Sequence, residues 1–435
     1  MLPLGLILKE NLSYAVKIQG VNLEKKGNLA IIGQGYVGLP LAMAAVDAGW
    51  SVIGIDNLES KVTQINSGSS PVEDIPDFRL QLAISKGLYR ATSDFSQVIQ
   101  ASVIAICVPT PLNDKREPDL TLLESATREI APFVSNETLV VSESTSYPGT
   151  LREIIIPIIN SLKSVKAMRV YFASAPERVN PGDPVWNQKN TPRLVGGIDI
   201  ESQRVALDFY KTICDSAISV STPEIAEAAK LLENTFRLIN IALINEFTQL
   251  CAASGINVHE VIDAASSKPY GFMPFRPGVG VGGHCIPVDP LYLTWWARQN
   301  GGRAEFVEIA DLINHAMPKY VAQRGLALVD SEVDKPRVLI LGVAYKSGIA
   351  DVRESPVSEL REQLIALGAE VAWYDPLVID WEGSKSVDLE WECDLAILAT
   401  NQLGMEKDAT NLAERGVQVL DCTNSVENCP GVTPL

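Results

Sequence analysis

The stretch NLAIIGQGYVGLPLAMAAVDAGWSVIGID, residues 28–56, decides the fold of the first part of this chain. It consists of an apolar strand, a glycine-rich turn, a helix and a second apolar strand, which is the order of a βαβ unit. Gly33, Gly35 and Gly38 have the spacing G-x-G-x-x-G at the turn, and Asp56 ends the second strand. The pattern therefore predicts parallel strands joined by a helical crossover.

Glycines with this spacing between a strand and a helix, followed by an acidic residue at the end of the next strand, indicate a dinucleotide-binding site. The missing side chains allow a pyrophosphate to approach the helix N-terminus. The Asp56 carboxylate can accept both ribose hydroxyls and would repel a 2′-phosphate, so the sequence predicts NAD rather than NADP. The cofactor-binding residues predicted here are Gly33, Gly35, Tyr36, Val37, Gly38 and Asp56. Lys61 could also reach the cofactor, or it could be a solvated helix lysine.

Short apolar runs at 101–111, 138–145 and 169–178 alternate with helical stretches along the first half of the chain. This alternation favours a parallel, doubly wound sheet. Thr110, in CVPTP, follows one of these strands and falls at the carboxyl edge of the sheet, where ligands bind in such folds. Cys107, at the start of the same motif, is predicted to be a small buried hydrophobe.

From Ser221 onward, apolar residues recur at steps of three or four over a long segment, which predicts one long helix. A polar stripe lies beside the apolar one, formed by Glu227, Lys230, Asn234 and Arg237. This stripe is either a solvated face or a set of ligand contacts. The amides of Asn234, Asn240 and Asn245 favour ligand contacts, because short amides do little for an exposed helix. From about residue 319 the α/β alternation resumes and predicts a second α/β domain.

The composition excludes several classes of function. A formal net charge of −17 argues against a nucleic-acid partner, because such proteins concentrate Lys and Arg. No apolar run approaches the roughly 18 residues of a membrane helix, so we expect a cytoplasmic protein without a membrane partner. The 7 cysteines include no C-x-x-C and the 3 histidines no H-E-x-x-H, so neither a disulfide framework nor a metal site is predicted.

The loop PGVGVGGHCIPVDP, residues 277–290, sets Cys285 beside His284 and a cluster of glycines. The glycines leave backbone amides free to face a ligand, and a partly exposed thiol near dipoles and cations can act as a nucleophile. His284 could assist this thiol or bind a substrate. Asp289 is within loop reach of the thiol, or it caps the helix that follows.

Seven motifs occur in the order found in nucleotide-sugar 6-dehydrogenases, and the chain resembles that family from about residue 27 to its C-terminus. The motifs are GxGYVGLP, CVPTP, ESTSYPGT, APERVNPG, KLLENTFR, GVGVGGHCIPVDP and KSGIADVRESP. The resemblance implies an α/β protein with two Rossmann-like doubly wound domains, joined by a long central helix and a helical region that also makes a homodimer or higher homo-oligomer. We expect an N-terminal extension (1–26), an NAD-binding domain (27–212), a central domain with the cysteine loop (213–318) and a UDP-sugar-binding domain (319–435).

The family oxidises the primary alcohol at carbon six of a UDP-sugar to a carboxylate with two NAD⁺. By resemblance, Cys285 captures the intermediate aldehyde as a thiohemiacetal, whose oxidation gives a thioester that water cleaves. Lys230 and Asn234 would stabilise the oxygen of the alcohol or thiohemiacetal. Asp289 and Thr145 would position the water.

Glu177, in APER, is implied to be the general base or acid, a role that a pKa raised by partial burial would serve. Arg353 matches a residue that reaches toward the NAD pyrophosphate. The residues expected to bind the substrate are Arg237, Arg276, Gly282, His284, Tyr345 and Lys346. Of these, Tyr345 and Lys346 match substrate contacts of the family. Arg276 either holds a phosphate or is simply exposed.

The residues around the cysteine bear on the sugar. UDP-glucose enzymes of the family usually have GGSCFPKD, whereas this chain has His284 for the serine and Val288 for the lysine. The form GGHCIPVDP, with KPYGFMPF before it and YLTWWAR after it, resembles the branch that acts on UDP-N-acetylhexosamines. UDP-N-acetyl-D-glucosamine is the first expectation, for a precursor of surface polysaccharide. The N-acetylmannosamine and N-acetylgalactosamine epimers come next, and UDP-glucose is a further alternative.

Two other interpretations remain. A two-electron β-hydroxyacid dehydrogenase shares a Rossmann domain followed by a helical domain, but it would not need Cys285. A non-catalytic sensor of NAD or of a nucleotide sugar could use the same folds. The retained cysteine, lysine and asparagine argue against the sensor.

Overall fold

The computed structural model describes residues 26–179, 185–427 and 429–435. The chain forms two compact units. The first comprises the chain up to Asn113 together with Pro118–Lys230, and the second comprises Asp114–Glu117 and Leu231–Leu435. The expected N-terminal extension, 1–26, lies outside the described residues except for Lys26.

The first unit is built on a sheet of eight strands in the order β3-β2-β1-β4-β5-β6-β7-β8. The strands are β1 (Asn28–Ile32), β2 (Ser51–Ile55), β3 (Tyr89–Thr92), β4 (Val103–Ile106), β5 (Thr138–Ser142), β6 (Val170–Ser174), β7 (Arg193–Gly197) and β8 (Ala217–Val220). Its helices are α1 (Gly38–Asp47), α2 (Glu59–Asn66), α3 (Asp77–Ser85), α4 (Thr121–Ile130), α5 (Ile156–Leu162) and α6 (Ile200–Ile213). Short 3₁₀ segments occur at Phe95–Gln100 and Ala131–Phe133, and a π-helical turn, Leu151–Ile155, precedes α5.

Neighbouring strands in this sheet are parallel except β6 and β7, which pair antiparallel. The predicted doubly wound α/β fold is confirmed, and β4 and β5 are buried at every position, as a parallel sheet covered on both faces requires. The apolar pattern did not show β7 and β8. Strand β7 ends in two glycines and β8 is partly exposed, so neither has the apolar run that marks a buried strand.

One long helix, α7 (Pro223–Ala253), continues from the first unit into the second and confirms the predicted helix. Within the second unit its apolar residues lie on two faces. Leu231, Leu238 and Ala242 are buried, whereas a second row is exposed. The exposed row consists of Leu232, Phe236, Leu243, Phe247 and Leu250. Neither α7 nor any other helix among the described residues has the length and apolarity to cross a membrane.

The second unit contains a sheet of five parallel strands in the order β10-β9-β13-β14-β15 and a small antiparallel pair, β11–β12. The strands are β9 (Arg337–Leu341), β10 (Glu370–Tyr374), β11 (Asp380–Trp381), β12 (Ser384–Lys385), β13 (Leu395–Leu398), β14 (Gln418–Asp421) and β15 (Val432–Pro434). Its helices, besides most of α7, are α8 (Val258–Ser266), α9 (Asp289–Gln299), α10 (Glu305–Leu326), α11 (Pro356–Ala366) and α12 (Met405–Glu414). A second Rossmann-like sheet is therefore present, as expected.

Candidate functional site

The glycine turn between β1 and α1 is shaped by close backbone contacts. A Cβ on Gly33 would lie 2.4 Å from the carbonyl oxygen of Cys107, and one on Gly38 would lie 1.8 Å from the carbonyl oxygen of Gly33. Neither position can hold a side chain. At Gly35, by contrast, no atom lies within 4 Å of the Cβ position. The turn thus leaves open space beside the N-terminus of α1, which fits a cofactor pyrophosphate.

Asp56, at the end of β2, is buried and turned back toward the glycine turn. Its carboxylate accepts hydrogen bonds from the backbone N–H of Gln34 (2.9 Å) and of Leu58 (3.1 Å). Lys61 pairs with the same carboxylate at 2.9 Å and is partly exposed, so the structure places it beside Asp56. The Tyr36 hydroxyl, in the same turn, donates to Glu73 (2.8 Å).

Two predicted residues meet at the carboxyl edge of the first sheet. The Thr110 hydroxyl, beyond β4, donates a hydrogen bond of 2.7 Å to the carbonyl oxygen of Thr145, beyond β5. Cys107 is buried in the core as expected, and burial raises the pKa of its thiol well above the usual value. The thiol therefore stays neutral and belongs to the packing.

Glu177 follows β6 and differs from expectation. Burial alone would raise the pKa of its carboxyl group, but the neighbouring Arg193 guanidinium, the Val179 N–H and the Gln188 side chain together lower it. The expectation of a raised pKa is therefore wrong. A carboxyl group with a lowered pKa is ionised at neutral pH, so it cannot deliver a proton as an acid there.

Sequence reasoning did not find the residues that surround Glu177. Arg193, on β7, is 2% exposed and pairs at 2.8 Å with Glu177 and at 2.8 Å with Glu143, which follows β5 directly. The sequence offered one sign of this cluster. Glu143, in ESTSYPGT, is a charged residue that directly follows a continuous apolar strand. Burial raises the pKa of Glu143 to about 7, although Arg193 opposes that rise.

In the second unit, Cys285 lies in the turn that leads into α9. All seven cysteines lie within the described ranges; Cys285 is exposed, and the other six are buried or half-buried. The carbonyl oxygen of Cys285 accepts a hydrogen bond of 2.8 Å from the N–H of Asp289, the first residue of α9. Cys285 is therefore held by its backbone in the turn at the N-terminal end of α9.

Asp289 does not cap α9 from outside, because it is the first helical residue and is buried. The Asn234 side chain donates a hydrogen bond of 2.5 Å to the Asp289 carboxylate. Lys230, also buried, lies one turn before Asn234 on α7. The other amides of the predicted ligand-facing stripe bond within the protein. Asn240 donates to the Phe236 carbonyl (2.7 Å), and the Asn245 side chain donates to Asn314 (2.9 Å) and accepts from the Gly278 N–H (3.1 Å).

The glycines before Cys285 are required by packing within the second unit. A Cβ on Gly282 would lie 2.8 Å from the Tyr345 Cβ, and one on Gly283, where φ is +86°, would lie 2.8 Å from the Tyr345 ring. The Gly283 N–H donates to the Glu354 carbonyl at 3.3 Å. The sequence predicts that these glycines leave backbone amides free for a ligand. At Gly283 that prediction is wrong, because its amide bonds within the protein and its missing side chain makes room for the Tyr345 ring.

Asp351 joins three of the predicted residues. Its carboxylate accepts two hydrogen bonds from Arg353 (2.9 and 2.7 Å), and a His284 ring nitrogen lies 3.7 Å from it. The Asp351 carbonyl accepts the N–H of Tyr345 at 3.1 Å. Although burial would raise the pKa of Asp351, Arg353 and His284 hold it well below its usual value.

A cavity of about 430 Å³ opens at the carboxyl edge of the second sheet. Tyr345 and Lys346, two of the residues expected to bind the substrate, line it. Polar residues that sequence reasoning missed also line it, after β13 and β14: Thr400, Asn401, Thr423 and Ser425. Gly278 and Gly280, from the cysteine loop, close one side. Such an edge is where ligands bind in doubly wound folds.

Two predicted arginines lie outside this cavity lining. Arg276 is exposed, forms an ion pair with Asp263, and donates to the His259 carbonyl at 3.4 Å. Arg237 is exposed on α7. Their roles in substrate binding stay predictions.

Comparison with known proteins agrees with this geometry. Models of the UDP-glucose/GDP-mannose dehydrogenase family match three stretches of the chain. These are the NAD binding domain at residues 27–214, the central domain at 224–316 and the UDP binding domain at 339–428. The glycine turn lies in the first match, Cys285 in the second, and most of the cavity lining in the third.

Three similar proteins illustrate the relationship. A UDP-N-acetyl-D-mannosamine dehydrogenase of Methanococcus maripaludis is 35% identical over 81% of this chain and 82% of its own length. A UDP-N-acetyl-D-glucosamine 6-dehydrogenase of Pseudomonas aeruginosa is 33% identical over 80% of this chain and 83% of its own length. The solved structure of UDP-D-ManNAc dehydrogenase from Pyrococcus horikoshii has 31% identity and a TM-score of 0.86, covering 94% of this chain and 98% of that one. The chain therefore belongs to the UDP-glucose/GDP-mannose dehydrogenase family and is an NAD-dependent UDP-sugar dehydrogenase.

Proposed function

We propose that this enzyme oxidises carbon six of a UDP-N-acetylhexosamine to the carboxylate, with Cys285 holding the half-oxidised sugar. The observation that carries the proposal is the placement of Cys285. It is an exposed thiol at the N-terminal end of α9, and the first residue of that helix, Asp289, is held by Asn234. The thiol proposed to capture the sugar, on Cys285, and the carboxylate proposed to direct water, on Asp289, thus lie one turn apart in the chain.

The chemistry proceeds through four steps, of which two are two-electron oxidations. Oxidation of the C6 alcohol removes a hydride and a proton and leaves an aldehyde. The Cys285 thiol then adds across the aldehyde C=O bond to give a thiohemiacetal, from which a second hydride and proton leave to form a thioester. One water hydrolyses the thioester to the carboxylate and regenerates the thiol. NAD⁺, when bound, accepts the hydride of each oxidation, so one sugar yields two NADH.

The side chains have separate proposed roles. Lys230 and Asn234, one turn apart on α7, donate hydrogen bonds to the alcohol or thiohemiacetal oxygen and stabilise its developing negative charge. Asp289 and Thr145 position the hydrolytic water. Glu177 contributes as a fixed carboxylate, because its lowered pKa does not suit an acid.

The binding residues also divide between the units. The cofactor is proposed to lie against the glycine turn, with its ribose at Asp56 and Lys61 and its pyrophosphate contacted by Arg353. The uridine diphosphate is proposed to occupy the cavity lined by Tyr345 and Lys346. Accordingly, we propose NAD binding by residues 27–212, a central domain at 213–318 and UDP-sugar binding by 319–435. The ranges of the three matched family domains support this division.

A homodimer or higher homo-oligomer is proposed from α7. Its exposed apolar row in the second unit would cost free energy if it faced water in the working enzyme. Leu232 is 65% exposed, Leu243 56% and Leu250 61%. A second copy of the chain is the proposed cover for this row.

The sugar is proposed to carry an N-acetyl group at carbon two. The sequence GGHCIPVDP and its surroundings favoured UDP-N-acetyl-D-glucosamine, and a 33% identical relative is named for that sugar. The 35% identical relative and the solved structure with a TM-score of 0.86 are named for the mannosamine epimer. These similarities support UDP-N-acetyl-D-mannosamine as an equal candidate.

A spectrophotometric NADH assay tests the proposal with a panel of UDP-N-acetylglucosamine, UDP-N-acetylmannosamine, UDP-N-acetylgalactosamine and UDP-glucose. We expect activity with one acetamido sugar and two NADH for each sugar consumed. Activity confined to UDP-glucose would contradict the acetamido assignment and leave the thiol chemistry intact. One NADH per sugar would contradict the four-electron reaction. Tight binding of a UDP-sugar without NADH formation would indicate a sensor instead.

A further inference from the structure

A buried cluster of polar side chains lies behind the carboxyl edge of the first sheet, and all of it belongs to the first unit. Its members are Glu143, Glu177, Gln188, Arg193 and Tyr210, none more than 8% exposed. They come from the loops after β5 and β6, the segment before β7, strand β7 itself and helix α6. Charged groups are buried this deeply only when they are paired and hydrogen-bonded.

The Glu177 carboxylate is surrounded by donors. One oxygen, Oε1, accepts the backbone N–H of Arg178 and of Val179, each at 2.6 Å. The other, Oε2, accepts from Gln188 Nε2 at 2.5 Å and from Arg193 Nη2 at 2.8 Å. A protonated carboxyl group would point an O–H at one of these donors. The arrangement therefore requires the ionised form.

Glu143 has a different environment. Its Oε2 accepts from Arg193 Nη1 at 2.8 Å, and its Oε1 lies 2.5 Å from the Tyr210 hydroxyl. A tyrosine hydroxyl can donate or accept, so Oε1 can carry a proton directed at Tyr210 without meeting a fixed donor. Glu143 is thus the member of the pair that can hold a proton.

The number of charges in the cluster also indicates that one of the two carboxyl groups is protonated. One guanidinium, on Arg193, faces two carboxyl groups in the buried cluster. Two ionised carboxylates would leave a buried net negative charge, which is costly, whereas one proton on the pair leaves the cluster neutral. The count of fixed donors decides which carboxyl group takes that proton.

We propose that Arg193 is a positioning residue that fixes Glu177 as an ionised carboxylate at the carboxyl edge of the first sheet, while Glu143 carries the proton of the pair in its hydrogen bond with Tyr210. The inference deepens the proposed function, because Glu177 is one of the residues given a role there. Fixing Glu177 also fixes the N–H groups of residues 178 and 179, where the chain leaves β6.

The other titratable groups near the cluster are consistent with a protonated Glu143 and an ionised Glu177. Cys107 and Cys214 lie nearby, and burial raises the pKa of both thiols, so both are neutral at pH 7. Burial also raises the pKa of Tyr210 well above the usual value. The pKa of Glu143 is raised to about 7 and that of Glu177 is lowered, which agrees with the assignment from donor counts.

Difference infrared spectroscopy of the enzyme tests the proton directly, without substrate. In a Glu227→Gln background, which removes the other buried carboxyl group with a raised pKa, we expect a band of a protonated carboxyl group near neutral pH that fades as the pH rises through about 7. The frequency of the band should shift when Tyr210→Phe is added, because the proton of Glu143 lies in the hydrogen bond with the Tyr210 hydroxyl. The band should be lost when either Glu143→Gln or Glu177→Gln is added, because each leaves a single carboxylate to balance Arg193. A band that persists when Glu143→Gln is added, a band left unshifted by Tyr210→Phe, or no band in the Glu227→Gln protein would overturn the assignment. This readout does not depend on the identity of the sugar, so it is separate from a failure of the proposed function.

Kinetics test the positioning role. Glu143→Gln imitates the protonated acid, whereas Glu177→Gln turns an amide group toward fixed donors, so the loss of kcat/KM should be about 30-fold smaller for Glu143→Gln. In Arg193→Met, the pKa of Glu177 should rise, and the acid limb of the pH profile should move to higher pH. Arg193→Lys should restore part of that limb, because it returns the charge.

Arg204→Met is the matched control, because Arg204 is an exposed arginine of α6 paired with Glu201 and Asp208. Circular dichroism verifies that each variant is folded. A folded Arg193→Met enzyme whose pH profile matches that of the wild type would show that Arg193 has only a structural role. If Arg193→Met does not fold, the infrared spectrum of Tyr210→Phe and the kinetics of the two glutamine variants still decide the proposal.

Discussion

The Asn234 side chain, on α7, donates a hydrogen bond to the buried Asp289 carboxylate at the start of α9. The bond joins residues 55 positions apart in the chain. It fixes the carboxylate one turn beyond Cys285, whose carbonyl oxygen accepts the Asp289 N–H. The orientation of this carboxylate thus depends on the central helix as well as on its own loop.

Asp289→Asn is expected to slow hydrolysis of the thioester, because the neutral amide is a weaker director of water. We expect kcat to fall by about 100-fold, with an early burst of NADH and a covalent sugar adduct visible by intact-protein mass spectrometry. Asp208→Asn is the control, since Asp208 is an exposed aspartate paired with Arg204. A slow enzyme that accumulates no covalent adduct would show that Asp289 acts in a step before the thioester forms.

Cys285→Ala is expected to reduce steady-state NADH formation by about 10³-fold or more, since no other described cysteine is exposed. Binding of NAD⁺, measured by calorimetry, should change little because the glycine turn belongs to the other unit. Cys429→Ala, at a half-buried cysteine of the second sheet region, should keep normal activity. Near-normal turnover by Cys285→Ala would remove the basis for covalent capture.

Gly283→Ala is expected to displace the Tyr345 ring, because the new Cβ would lie 2.8 Å from it. We expect KM for the UDP-sugar to rise while KM for NAD⁺ stays unchanged. Gly368→Ala separates this clash from backbone strain, since Gly368 also has a positive φ but no atom within 4 Å of its Cβ position. Each variant should lose about 1–3 kcal/mol of stability from strain, but only Gly283→Ala should change KM. Equal KM values in the two variants would argue against a role for Tyr345.

Glu227 predicts a pH dependence of stability. Burial raises the pKa of its carboxyl group from 4.5 to about 8, although the N–H groups of Gly149 and Leu151 oppose this. Between these two values the folded state binds the proton and the unfolded state does not. The free energy of unfolding should therefore fall with rising pH, by up to about 1.4 kcal/mol per pH unit.

Denaturant titrations between pH 5 and about pH 8 measure this slope in the wild-type enzyme and in Glu227→Gln. The variant should be less stable at low pH, since its amide cannot accept both N–H bonds, and its stability should depend less on pH. Glu224→Gln, at a partly exposed glutamate of the same helix, is the control. Equal slopes in Glu227→Gln and the wild type would show that Glu227 is ionised in the folded enzyme.

Leu243→Glu places a charge in the exposed apolar row of α7 and is expected to shift the enzyme toward monomers in sedimentation velocity. Leu367→Glu is the matched control, because Leu367 is an exposed leucine at the end of α11, 45% exposed. If the Leu243→Glu enzyme sediments like the wild type, the apolar row does not form the interface. The control should leave the sedimentation coefficient unchanged.

The sequence alone determined the local elements of this protein. The βαβ unit around residues 28–56, the long helix α7 and the α/β alternation from about residue 319 were predicted because apolar periodicity and glycine spacing act over a few neighbouring residues. The cofactor could be predicted for the same reason. Gly33 and Gly38 have no room for a side chain, and that requirement is visible as a spacing of glycines.

Tertiary structure decided which polar groups meet. The sign of the pKa shift at Glu177 could not be predicted, because burial and Arg193 act in opposite directions and Arg193 comes from another strand. The apolar stripe of α7 was predicted, but not that part of it stays exposed. The periodicity of a sequence shows where apolar side chains lie on one helix. Which residue pairs with a buried charged group, and which surface covers an apolar helix face, depends on distant chain segments that only folding brings together.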